Sequence, residues 1–99
     1  MYSANKRTRS AFAIFQNTLC EGIVPTWREE NGFPVIYSTE REAQIEIAEM
    51  LIGQLRQFVI GERDFADALS TEDFILPVEV WPDGTIESED GKRFGSVPW

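Results

Sequence analysis

Residues 34–61, "PVIYSTEREAQIEIAEMLIGQLRQFVIG", change their hydrophobic period part-way. Val35, Ile36 and Tyr37 are β-branched or aromatic and strand-like, whereas beyond Thr39 the apolar positions recur at helical intervals of three and four. Thr39 suits the N-cap, where its hydroxyl accepts an orphan backbone N–H, and Glu42 three residues later completes a capping box. Glu40 and Glu42 set negative charge against the positive end of the helix dipole. Gly61 supplies the left-handed residue that stops it. The pattern predicts a helix over residues 40–60.

That helix is too apolar around its circumference. At about 100° per residue, Ala43, Ile47, Phe58, Leu51, Leu55, Ala48, Val59, Ile52 and Ile45 sweep an arc of roughly 200°, broken by Gln44 in the first turn. A helix resting on one sheet needs an apolar stripe of about 100° or somewhat more. Leu55 lies mid-arc and is expected in the core. Two covers suit the surplus flank of Ile45, Ile52 and Val59. Within the chain, the 62–70 segment with Phe65 and Leu69 could fold back over it. Alternatively a second copy covers it as an isologous homodimer, and the frequency of such dimers tips an even balance that way. Gly53, mid-helix, costs about 1 kcal/mol relative to alanine, and a close-packed neighbouring backbone is one compensation.

Elsewhere the pattern is that of strands. Residues 1–10 are polar and read as a mobile lead-in. "SAFAIFQN" is apolar on both alternating faces, which predicts a central strand over residues 11–16. A helix through Phe12, Phe15 and Leu19, ending at Gly22, competes with it. "TLCEGIVPT" reads as a loop, because Gly22 and Pro25 break regular structure. Asn31-Gly32 predicts a type I′ turn pairing strands at Trp27 and at Val35–Tyr37, with Pro34 at an edge or bulge. After the helix, "ERDFADALSTED" holds a short helical turn around Phe65–Leu69. Ile75, Val78 and Val80 then run to a turn at Asp83-Gly84 and return through Ile86, with a second turn at Asp90-Gly91. The expected architecture is one α+β domain over residues 1–99. It is an antiparallel sheet of about four to five strands packed on one long central helix, in the order β-β-β-α-β-β.

Composition narrows the chemistry. Histidine is absent and Cys20 is the sole cysteine, which removes histidine-activated nucleophiles, an internal disulfide and a thiolate metal cluster. Residues 1–39 carry four basic and three acidic side chains, residues 40–99 five and fourteen, within a net charge of −8. So acidic a body repels phosphate backbones, and direct nucleic-acid binding is not expected. No apolar run approaches the roughly 20 residues of a membrane span, and "AFAIF" is too short for a signal-peptide core, so the expected location is cytoplasmic. The acidic runs at 62–73 and 87–90 match no metal-loop spacing, the glycines form no phosphate cradle, and Cys20 has no neighbouring cation to lower its pKa. No catalytic residue, metal or cofactor is expected. Trp81 and Trp99 are candidate partner anchors, since tryptophan is enriched among interface hot spots, although docking within the chain is the commoner use.

"PVIYSTEREAQIEIAE" followed by "EVWPDGTIESEDG" resembles small bacterial proteins carried on phages and mobile gene cassettes, including integron cassettes. The resemblance spans residues 11–95 and implies an accessory bacterial protein, with no functional residue to carry over. The expected function is a non-enzymatic protein-interaction module, self-associating through the helix flank, with Ile45, Ile52, Val59, Trp81 and Trp99 as candidate interface residues. The alternative is an acidic nucleic-acid mimic that blocks a basic groove of another protein, which requires carboxylates aligned in one stripe.

Overall fold

The strand at "SAFAIFQN" is longer than its apolar stretch. In the computed structural model, which describes residues 8–96, it runs Arg9–Thr18 (β1) and takes in Arg9 and Ser10 of the expected lead-in. Those two residues pair with Val80 and Glu79, and the Glu79 carboxylate accepts hydrogen bonds from the Thr8 and Ser10 hydroxyls at 2.7 and 3.1 Å. Beyond β1 the elements are β2 (Gly22–Pro25), α1 (Glu40–Val59), α2 (Phe65–Ala68), β3 (Phe74–Val80), β4 (Ile86–Ser88) and β5 (Arg93–Phe94). These five strands form one antiparallel sheet, in the order β2-β1-β3-β4-β5. The protein is α+β as expected, and β1 is central, but the sequential order is β-β-α-α-β-β-β.

Two local readings account for the difference. Gly22 and Pro25 do not interrupt β2 but bound it. Gly22, at φ +74°, closes the turn from β1, where the Thr18 hydroxyl accepts from the Glu21 amide and donates to the Gly22 carbonyl. Pro25 pairs with Phe15 at the strand's end, where a missing N–H on an edge costs no ladder bond. The expected hairpin at Asn31-Gly32 is the second correction. The turn exists, with the Gly32 amide bonded to the Glu29 carbonyl, but of the two residues only Gly32 has positive φ, so it is not type I′. Its flanks pair over a short stretch, the Glu29 amide bonding to the Phe33 carbonyl and the Val35 amide to the Trp27 carbonyl around the Arg28–Pro34 bridge, but Tyr37 leaves the hairpin to bridge Phe12 of β1.

Register sorts the sheet into two faces. On one lie Ala11, Ala13, Phe15, Val78, Val80 and Ile86, which form the buried core cluster, with Leu76, Phe74 and Phe94 packed against it. Phe94 on β5 is three strand spacings from β1, about 14 Å across a flat sheet, and its register places it level with Arg9, about 20 Å along the strand from Phe15. Their rings nevertheless meet edge-on at 5.7 Å. The sheet is therefore curled around Phe15, and the cluster is its interior. Residues 26–36 seal the gap between its two edges. Arg28 Nη1 donates to the Gly32 and Gly95 carbonyls at 2.8 and 2.7 Å, and the Ser96 hydroxyl donates to the Asn31 carbonyl at 2.6 Å. Phe33 packs on Gly84, where an added β-carbon would lie 3.3 Å from its ring.

The opposite face carries Phe12, Ile14 and Ile75. Ile14 is buried yet stands apart from the interior cluster, and α1 touches β1 and β3 on this outer side. The helix ends match their sequence signals. Thr39 and Glu42 form the capping box, the Glu42 carboxylate also accepting from the Ser38 amide. At the other end the Glu62 amide reaches the Gln57 carbonyl and the Gly61 amide that of Phe58, a Schellman closure with Gly61 at φ +84°.

Among the described residues, the large side chains below 2 % exposure are Phe15 and Ile86, both in this interior, so the core's stability should be concentrated there. Phe15→Ala is expected to lower the unfolding free energy by about 3–5 kcal/mol in urea denaturation, the usual cost of truncating a buried phenylalanine.

Candidate self-association surface

α1 follows a 3.6-residue period, and its burial picks out a single side. Ala43 is fully buried, and Ile47, Met50, Leu51, Gln54 and Leu55 are half-buried along the same stripe. Leu55, expected in the core, is thus only partly covered. Ile45, Ile52 and Val59 recur at seven-residue spacing and lie about 130° round the helix from the centre of that stripe. They are 43, 48 and 77 % exposed.

The 62–70 segment does not cover them. Arg63 Nε donates to Gln57 Oε1 at 2.7 Å, and Gln54 Nε2 donates to the Ala68 and Ser70 carbonyls at 3.1 Å each. The Phe65 ring lies against Phe58 at 5.1 Å between centroids. These contacts place α2 along the Gln54–Gln57–Phe58 edge, away from the Ile45–Ile52–Val59 side. Polar and apolar contacts agree on that edge: the Ala68 and Ser70 carbonyls find donors on Gln54, Phe65 meets Phe58, and Ala68 is fully buried. Phe65 and Leu69, expected to act as a cover, are themselves 54 and 55 % exposed.

The result is an apolar arm. The described residues span 58 × 28 × 24 Å, with a radius of gyration of 15.8 Å against about 13 Å for an ordinary domain of this length. Of the nine large hydrophobic side chains exposed among the described residues, seven lie between Ile45 and Leu69. Phe58, Ile60, Phe65 and Leu69 thereby join the three expected flank residues. The signal for the last two was an apolar pair just past the Gly61 stop, in a segment too short to bury itself.

Trp81 belongs to a different place. It sits at the β3–β4 turn, where its indole N–H donates to Glu87 Oε1 at 3.0 Å and the Arg93 guanidinium lies 4.3 Å over its ring. These are contacts within its own sheet, and they do not bring it to the arm. Trp99 lies outside the described residues.

At the N-terminal end of the arm, Ile45 borders a shallow cleft with Ile36, Tyr37, Ser38, Glu42 and Glu46. Burial, reinforced by the negative charges of Glu46 and Glu29, pushes the Tyr37 phenol up to about 12. Among the described residues no group of three or more Cys, Asp or Glu side chains is placed to hold a metal ion, and no helix is long and apolar enough to cross a membrane. Comparison with known proteins returned no matching family model, no matching curated protein and no matching solved structure.

Folding favours the neutral phenol of Tyr37, so stability from this group is intact below about pH 10 and declines as pH rises from there to about 12. Alkaline absorbance titration of Tyr37→Phe against wild type checks this: the late-ionising phenol should vanish. Gly53 does not stand beside another backbone, as the close-approach expectation required. A β-carbon added there would meet no neighbouring heavy atom within 4 Å. Gly53→Ala should therefore raise stability by about 0.5–1 kcal/mol in denaturant melts.

Proposed function

We propose that this chain is a non-enzymatic interaction module that self-associates through the exposed flank of α1. One observation carries the reading: Ile45, Ile52 and Val59 share one uncovered side of a well-capped helix, and the chain's own α2 docks elsewhere. Each larger apolar side chain left in water forgoes about 1.5–3 kcal/mol of burial, a heavy loss for a domain of marginal stability. Patches of this kind rimmed by polar residues mark interaction sites. A second copy is the occupant because the surface is a straight helical stripe, which complements itself about a two-fold axis. The likeness of residues 34–49 and 79–91 to cassette-borne proteins supports an accessory role on bacterial mobile DNA.

Sedimentation of the wild-type protein should give a dimer, and Ile52→Asp should give a folded monomer with unchanged circular dichroism. A monomeric wild type would end the self-association reading, and an undiminished dimer in the variant would move the interface elsewhere.

A further inference from the structure

The seven-residue spacing that aligns Ile45, Ile52 and Val59 also places Ala48 and Leu55 at the intervening positions of a coiled-coil seam. Two different edges flank this seam. Glu49 and Arg56, seven residues apart, lie on one edge and Leu51 and Phe58 on the other. Both Glu49 and Arg56 are exposed, and among the described residues neither side chain has an ion-pair or hydrogen-bond partner.

The two ways of apposing this helix to a copy of itself treat the edges differently. In parallel, each charged edge meets the partner's other edge. Arg56 would then face a leucine, and Glu49 would face Gln44, so neither charge would gain a counterion. In antiparallel, like edges meet. Glu49 then faces Arg56 of the partner subunit, twice by symmetry, while Leu51 and Phe58 meet the same two residues of the partner on the far side. The seam layers in that register are Ile52 on the partner's Leu55 and Ala48 on the partner's Val59, each also occurring twice. The Glu49–Arg56 edge of the seam is open to solvent, whereas the Leu51–Phe58 edge borders the side of α1 that the sheet and α2 contact, Phe58 already meeting Phe65, so the partner approaches from the charged edge.

We infer that α1 pairs with a second copy of this chain antiparallel, with the two-fold axis crossing it between Ile52 and Leu55 and Glu49–Arg56 pairs fixing the register. This rests on the self-association reading and names the geometry of its partner.

The test uses two charge reversals, Glu49→Lys and Arg56→Glu, both at exposed helix positions. Each variant alone would place like charges opposite each other twice, and its dimer should weaken about tenfold in low-salt sedimentation. An equimolar mixture should regain wild-type affinity as a heterodimer, because each lysine then meets a glutamate and each remaining arginine the remaining glutamate. If wild type dimerises but mixing restores nothing, the antiparallel register is overturned while self-association stands. A monomeric wild type overturns both.

Discussion

The structure depends on the sheet closing around Phe15. Its ring meets Phe94 from a strand three places away, and that contact is possible only if β1, β3, β4 and β5 curl together. Ala11 and Ala13, successive small residues on the interior face of β1, leave the room such tight curvature needs. Arg28 then locks the gap by bridging the Gly32 and Gly95 carbonyls, and burial lowers its pKa while Glu21 partly offsets that. In this way a sheet of short strands makes a core out of one of its own faces.

That closure frees the helix. In an ordinary two-layer α+β domain the helix supplies half the core, and its apolar stripe is used up there. Here it gives up only Ala43 completely, and the rest of its apolar circumference remains to be satisfied. In proteins most of a helix's stability comes from the packing of its apolar face rather than from propensity, and little of that packing is available here. α1 is held by the capping box at Thr39, the Schellman closure at Gly61 and the docking of α2 through Gln54. Thus α1 is well ordered yet poorly covered, the combination an interface helix requires.

Local chemistry was legible in the sequence, whereas pairing was not. The capped helix, the alternation through Ile14, and the turns at Asp83-Gly84 and Asp90-Gly91 all depend on residues within a few positions of each other, and all are present. β2 was hidden because Gly22 and Pro25 carry the same punctuation whether they bound a strand or form a loop. The Asn31-Gly32 turn and the Trp27–Val35 pairing were visible, but Tyr37 exchanges both backbone bonds with Phe12 of β1, 25 positions away, a pairing that no local pattern announces. The excess arc on α1 was legible too. What lay against it was not, because α2 docks on the other edge of α1, through hydrogen bonds from Gln54, the Phe58–Phe65 contact and a fully buried Ala68, none of which the arc itself specifies.

The acidity of the chain fits the same division. Four of its seventeen carboxylates are engaged by local structure: Glu42 in the helix cap, Asp83 with Thr85, Asp90 with Ser88 and Lys92, and Asp67 with Arg63. Hydrogen bonds from Thr85 and from Ser88 and Lys92 hold the Asp83 and Asp90 carboxyls below their ordinary range. Glu79 and Glu87 lie directly opposite on β3 and β4, a like-charge pair that would cost stability. Thr8 and Ser10 satisfy one and Trp81 the other. These six groups are spread over caps, turns and sheet. Two copies each carrying −8 repel in most orientations, within a screening distance of about 8 Å at physiological salt. In the proposed pairing, Arg56 beside the apolar seam is where that repulsion is locally reversed, so the negative body itself would restrict how two helices meet.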